Sequence, residues 1–354
     1  MTQDTDTPPT LPALGWSDFF TDQLAEEEAA LEPQRIATVH RARMTAIGAA
    51  GAVKLRLPHK LNTGDFAVGD WILAEPETHL LIRRLDRKAL LQRHTEGARV
   101  PQLIAANVDT LFIVTSCNAD FNPARLERYL ALCNEAGTRP VIVLTKADQV
   151  DDPAPFQQEA AALQRGLEVV TLNAKSPEAA TILAPWCGPG QTVALVGSSG
   201  VGKSTLLNIL ADKAPEDEQE TGDIREDDAK GRHTTTARHL LRVTGGGWLI
   251  DTPGMRELRL TDAEEGIAAV FDDLGTLARA CRFADCTHQA EPGCAIRAAV
   301  EAGDLDPGRV LRWEKLRRED RYNSETLAEA HSRDRAFGRM TRRVLRDKTK
   351  LRDG

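Results

Sequence analysis

The segment Gly197-Ser198-Ser199-Gly200-Val201-Gly202-Lys203-Ser204-Thr205 satisfies the pattern G-x-x-x-x-G-K-[ST]. Its glycines permit a tight turn that brings backbone N–H groups against phosphate oxygens, and a helix opening near Lys203 would add its positive end. Lys203 is suited to bridge β- and γ-phosphates, and the Ser204 hydroxyl to ligate Mg²⁺. A second candidate, Asp251-Thr252-Pro253-Gly254, follows an apolar run at residues 248–250. There Asp251 would hold the Mg²⁺ water shell, while the Gly254 N–H would meet a γ-phosphate and move when it leaves. Between the two lies an acidic stretch, residues 215–238, ending in Gly231-Arg232-His233-Thr234-Thr235-Thr236. A segment this polar is expected to be mobile until a Thr hydroxyl on Mg²⁺ orders it. Thr235 is the first choice among the three threonines.

The base is addressed by Thr145-Lys146-Ala147-Asp148, after an apolar run at 141–144. Guanine offers two adjacent donors, N1–H and the exocyclic amine, and one carboxylate accepts both. Against adenine, Asp148 would stay buried without a partner, at a large cost. Lys146 would lie along the base plane, and Asn173-Ala174-Lys175, after the run at 167–172, would present a backbone N–H to the guanine O6. The usual signature is Asn-Lys-x-Asp. Thr145 is a shorter substitute for the Asn that braces the phosphate loop, so the change touches affinity rather than base choice. In ordinary GTPases the phosphate loop comes first, whereas here both base-reading segments precede Gly197, so the order is circularly permuted. Chain termini that lie close together make such a rearrangement tolerable.

A third constellation, Cys281-x4-Cys286-x-His288-x5-Cys294, supplies three thiolates and an imidazole, a closed tetrahedral set for one structural Zn²⁺. Three buried thiols beside an incidental His is the competing reading. Cys117, Cys133 and Cys187 stand in apolar contexts and read as core residues. The net charge of -8 hides an asymmetry: residues 1–32 carry -8 and residues 33–308 carry -7, while residues 309–354 carry +7. That basic, helix-forming tail reads either as a solvated face or, beside a metal module, as a clamp on RNA phosphates.

These groups need elements to hold them. Apolar runs at 108–115, 141–144, 167–172, 193–196, 239–243 and 248–250 read as strands of an open α/β sheet, with a helix around Leu126, Leu130 and Cys133. Ligands of such sheets sit beyond the carboxyl ends of the strands. Earlier, strand-like stretches at 35–40, 52–57 and 70–74, punctuated by Gly, Asn and Pro, predict a small β-barrel. Residues 1–34, rich in Thr, Pro, Asp and Glu, predict a mostly disordered acidic arm in which Leu14, Trp16, Phe19 and Phe20 could form a docking segment. The expected division is therefore arm 1–34, OB-like barrel 35–99, permuted P-loop domain 100–272, and zinc module with basic helical tail 273–354. With 28% charged residues and no long apolar run, a membrane span is excluded as an expectation, and few cysteines point to a reducing cytoplasm.

The permuted order, Gly231–Thr236, Asp251–Gly254, Ala105-Ala106-Asn107-Val108-Asp109, Val68-Gly69-Asp70-Trp71 and the cysteine cluster with Glu291-Pro292-Gly293 together resemble the bacterial small-ribosomal-subunit-dependent GTPase A family, RsgA, also called YjeQ or EngC. The resemblance covers roughly residues 35–340 and implies a GTPase stimulated by the small subunit, binding rRNA in late subunit maturation, with hydrolysis of GTP to GDP permitting release. It implies a cytoplasmic monomer. Where many small GTPases carry a water-orienting Gln, this chain has Met255, so the isolated protein should be slow. The resemblance makes His233 the candidate to orient water, with packing of the 215–236 loop or RNA contact as its other reading. Two further functions stay open: a P-loop ATP-dependent enzyme, which Asp148 opposes, and a nucleotide-gated RNA-binding scaffold with negligible hydrolysis, which Met255 permits.

Overall fold

The computed structural model describes residues 8–93, 101–211, 238–251 and 260–324. A short helix, α1 (Asp18–Thr21), precedes the barrel strands β1 (Glu32–Val39), β2 (Met44–Gly48), β3 (Gly51–Lys54), β4 (Trp71–Ala74) and β5 (Leu81–Arg84). The hairpin of β6 (Leu90–Arg93) and β7 (Gln102–Ala106) leads into β8 (Thr110–Ser116), α2 (Pro123–Glu135), β9 (Arg139–Thr145), α3 (Ala154–Ala161), β10 (Glu168–Thr171) and α4 (Glu178–Leu183). Then come β11 (Thr192–Val196), α5 (Lys203–Leu210), β12 (His239–Arg242), β13 (Trp248–Asp251), α6 (Glu264–Val270), α7 (Asp272–Arg279) and α8 (Ala295–Ala302). A last helix is described over residues 307–324.

The strands run β10-β9-β8-β11-β13 in parallel, with β12 antiparallel beside β13. All seven residues of β8 and all five of β11 are buried, which is why these strands read as unbroken apolar runs. Alternation sends Leu111 and Ile113 to one face, packed with α2, and Phe112 and Val114 to the other, packed with Leu206 and Leu210 of α5. Helix α2 begins where Asn122 accepts the Arg125 N–H (3.0 Å) with Pro123 at its first position, and it buries Leu126, Leu130 and Cys133 on one stripe. Burial pushes the thiols of Cys117 and Cys133 up, and that of Cys187 to about 12, so all three behave as core residues.

The barrel has its own core of Ile36, Met44, Ala46, Leu55, Phe66, Ile72, Ala74 and Leu81. β1 pairs with β2 and β4, and also meets β12 at Thr38 and His239, which joins the barrel to the α/β sheet. Trp71 of β4 faces the α/β core instead.

One expectation is corrected. The described part of the acidic segment, residues 8–34, is not a loose arm: Leu14 and Phe20 are fully buried, Trp16 stacks edge-on against Trp71 at 4.9 Å, and β1 begins at Glu32. Leu14, Trp16 and Phe20 form the docking segment that their apolar side chains suggested, while Phe19 stays exposed. The fully buried Arg35 guanidinium ties the segment down, donating to the carbonyls of Leu14 (2.5 Å), Gly69 (3.3 Å) and Asn107 (3.1 Å). Burial lowers its pKa to about 10, against the opposing pull of the Asp109 and Asp70 carboxylates. A Cβ on Gly69, at φ +93, would stand 2.2 Å from the Ala106 carbonyl, so Val68–Trp71 and Ala105–Asp109 are the two sides of the barrel-to-sheet junction. The expected boundary at 272/273 falls within α7, and that at 99/100 lies outside the described residues.

Candidate functional site

The parallel ladder puts the carboxyl ends of β10, β9, β8, β11 and β13 on one edge, and this brings the motif segments side by side. The loop Gly197–Lys203 follows β11, and α5 opens at Lys203 with Gly202 at φ 95 as its cap. Gly197 is pressed so closely on β8 that an added Cβ would lie 2.1 Å from the Val114 carbonyl. Lys203 donates its ammonium to the Ser198 carbonyl, and Ser204 lies exposed at the helix start with Thr205 behind it. Ser199 and Gly200 form the exposed outer turn.

Thr145 is fully buried at the end of β9, and its hydroxyl lies 2.7 Å from the Val201 carbonyl and 3.0 Å from that of Thr115. One hydroxyl proton serves one of these acceptors at a time, and the shorter contact is to the phosphate loop. The substitute for Asn therefore still braces the loop, with one donor. Lys146 turns the chain at φ 56 into the 3-10 turn Ala147–Gln149, which carries Asp148 exposed. After the next strand, β10, Asn173 accepts the Lys175 N–H (2.8 Å), an Asx turn that shapes Asn173-Ala174-Lys175, and Ala174 is buried beside Gly202. Asp251 ends β13. His233, Thr235, Gly254 and Met255 lie outside the described residues.

One acid that sequence reasoning passed over belongs to this edge. Asp120, between β8 and α2, accepts the Ser198 hydroxyl at 2.6 Å. Asp109, just before β8, lies at the opposite, amino end of the strands, where it accepts the Thr192 N–H of β11 at 2.7 Å and burial raises its pKa. The one available signal for Asp120 was its place just before the Asn122-Pro123 helix start.

In the C-terminal module the ligand atoms of Cys281, Cys286, His288 and Cys294 all lie within 4.8 Å of one another. The Sγ atoms of Cys281 and Cys294 are 3.9 Å apart and lie 3.6 and 3.5 Å from His288 Nδ1. With metal–sulfur bonds of about 2.3 Å and metal–nitrogen bonds of about 2.0–2.1 Å, the edges of a zinc tetrahedron are roughly 3.6–3.8 Å, so these separations fit. The Ala295 N–H reaches Cys281 Sγ (3.4 Å) and the Arg297 N–H reaches Cys294 Sγ (3.5 Å), so the first turn of α8 favours thiolates. Glu291 knits the intervening loop by accepting from Thr287, Gln289 and Ala290. The cluster can hold a metal ion.

This module is docked on α2. Fully buried Glu127 accepts from Arg312 (2.8 Å) and Arg309 (3.4 Å) of the last helix, and Arg128 pairs with Glu319 through two bonds of 2.8 and 2.5 Å. At the other end of α2, Glu135 accepts the Gly266 N–H of α6 at 2.9 Å. No helix among the described residues is long and apolar enough to cross a membrane.

A family model described as RsgA GTPase matches residues 84–261. The small ribosomal subunit biogenesis GTPase RsgA of Mesorhizobium japonicum is 58% identical over 335 residues, covering 95% of this chain and 97% of that protein. RsgA 2 of Vibrio parahaemolyticus is 48% identical over 342 residues, covering 96% and 94%. Among solved structures, YjeQ from Thermotoga maritima is similar with a TM-score of 0.60 and 25% identity, covering 81% of this chain and 97% of that one. YloQ, described as a circularly permuted GTPase, shares the fold with a TM-score of 0.57.

Proposed function

Because the chain belongs to the RsgA family of small ribosomal subunit biogenesis GTPases, we propose that the carboxyl edge of its sheet holds one GTP and that the flanking modules hold the small subunit. The chain is a circularly permuted GTPase acting in small-subunit maturation. The observation that carries the pocket is the Thr145 hydroxyl on the Val201 carbonyl at 2.7 Å, which joins the base-reading segment to a phosphate loop 56 residues later in the chain.

In this reading the backbone N–H groups of 200–203 receive phosphate oxygens, and Lys203, already fixed by the Ser198 carbonyl, supplies the charge that offsets them. Asp148 accepts the two guanine donors, Lys146 covers the base plane, and the Asn173–Lys175 turn faces the guanine O6. Ser204, Thr235 and Asp251 are the residues that would hold Mg²⁺, which neutralises charge between the β- and γ-phosphates when bound. Thr235 and His233 enter on the family resemblance alone. His233 would orient the attacking water, as Met255 has no group to do so.

Zn²⁺ in the Cys₃His cluster would be structural, because four protein ligands leave no position for water. The small subunit and its rRNA are the proposed partners, with a cytoplasmic monomer as the working form. The test is phosphate release from GTP with and without purified small subunits. A rise well above about twofold supports the reading, since ordering a catalytic group contributes about a hundredfold or more, and a smaller rise favours the non-hydrolysing scaffold. Competition by excess ATP against labelled GTP should fail, and success would favour the ATP enzyme.

A further inference from the structure

The phosphate loop has three glycines at positive φ, Gly197 (149), Gly200 (77) and Gly202 (95), so its own backbone does little to hold its shape. Its shape comes from outside. Gly197 rests on the Val114 carbonyl and Val201 is held by Thr145, which leaves Ser198, the residue whose carbonyl receives the Lys203 ammonium.

We propose that Asp120 is a positioning residue for GTP binding: by accepting the Ser198 hydroxyl it fixes the carbonyl that aims Lys203 at the phosphates. The inference rests on the GTPase reading above. The hydroxyl-to-carboxylate bond is 2.6 Å, a short, charge-assisted contact. Asp120 itself is firmly seated. Its N–H donates to Asn118 Oδ1 (2.9 Å), which also accepts the Ser116 hydroxyl (2.8 Å), while the following Phe121 packs edge-on against Phe156 at 5.4 Å. One residue later Asn122 caps α2, whose Leu126, Leu130 and Cys133 are anchored in the core.

A bare carboxylate beside a triphosphate would oppose binding. Asp120 is not bare: its second oxygen pairs with the Arg125 guanidinium at 3.0 Å, and the Asp120 carbonyl accepts from the same group. The pair presents a rigid acceptor to Ser198 and little net charge to the nucleotide. Asp120 lies in the loop leading into α2 and Arg125 in its first turn, and α2 is the helix against which the C-terminal module docks, so one continuous segment contacts both the phosphate loop and that module.

The test is a double-mutant cycle read by titration of labelled GTP and GDP and by steady-state turnover with small subunits. Asp120→Ala and Ser198→Ala should each weaken both nucleotides about tenfold, the usual loss for a hydrogen bond to a charged group. The double variant should be no weaker than either, and Asp120→Asn, which keeps the acceptor, should recover to within about threefold of wild type. KM should rise while kcat at saturating GTP stays within about twofold, a split that general loss of fold would not give. Nucleotide-free melting and metal content report folding, and if Asp120→Ala fails them, Ser198→Ala alone must still show the loss. Additive losses, an Asn variant no better than Ala, or a fall in kcat at unchanged KM would overturn the assignment. Unchanged affinity in both single variants, with a wild type that binds GTP tightly, overturns this inference alone. A wild type that binds no guanine nucleotide overturns the reading on which it rests.

Discussion

Replacing Thr145 by Val keeps the shape of a fully buried side chain and removes only its hydroxyl. The structure assigns that hydroxyl to the Val201 carbonyl at 2.7 Å, with the Thr115 carbonyl at 3.0 Å as its second neighbour. Losing one buried hydrogen bond to an otherwise preserved environment costs about 1–2 kcal/mol. If the bond braces the phosphate loop, that cost appears in nucleotide affinity, a factor of about 5 to 30 at about 1.4 kcal/mol per decade. Titration of a fluorescent GDP analogue reads it directly, beside melting of the nucleotide-free protein. Thr145→Asn is the informative companion, because its amide carries two N–H donors for the two carbonyls and should retain wild-type affinity. A Val variant that binds GDP as tightly as wild type would refute the reasoning, since the phosphate loop would then hold its shape without β9.

Other consequences concern the modules around the pocket. Glu127→Ala leaves Arg312 and Arg309 without the buried carboxylate they share and should cost about 3 kcal/mol in thermal or denaturant unfolding. Arg139→Ala, at an exposed pair with Glu168, should change stability by less than about 1 kcal/mol, and equal effects would contradict the docking of the last helix on α2. Protein prepared without chelator should contain one zinc per chain. Metal removal or Cys294→Ser should raise amide exchange at 281–294 while leaving β8 and β9 protected, and zinc-free protein with an ordered loop would count against the tetrahedral site. The Arg83 guanidinium holds the Glu28 carboxyl down at about 2, from an ordinary 4.5. That contribution is fully present above about pH 4.5 and is lost as pH falls through about 2. The stability difference between wild type and Glu28→Gln should therefore shrink across that window, and a constant difference would show that the pair does not couple the N-terminal segment to β5.

The parts of the chain that could be read in advance share a physical cause. The phosphate loop, Thr145–Asp148 and the Cys/His cluster are short, and their chemistry depends on residue type at fixed local spacing. Strands β8, β9 and β11 are buried on both faces and so show as apolar runs. What could not be read depends on contacts between distant segments. Arg35 looks like an ordinary strand cation until three carbonyls, from Leu14, Gly69 and Asn107, converge on it. Glu127 looks like a solvated helix residue until an arginine 182 positions later covers it. Asp120 carries no motif, and only the folded sheet brings it to Ser198. The barrel strands β2 and β5, short and mixed in polarity, likewise take their place from pairing with β1 and β4.

The central claim is that Asp148, carried at the end of β9 beside the phosphate loop, reads guanine in a pocket assembled in permuted order. Asp148→Asn tests it most directly. Xanthine has a carbonyl where guanine has its exocyclic amine, so an amide in place of the carboxylate donates to that carbonyl while still accepting from N1–H. Binding of GTP and XTP should invert: wild type prefers GTP, and the variant prefers XTP by about tenfold or more. A variant that keeps wild-type affinity for GTP and gains none for XTP would contradict the account.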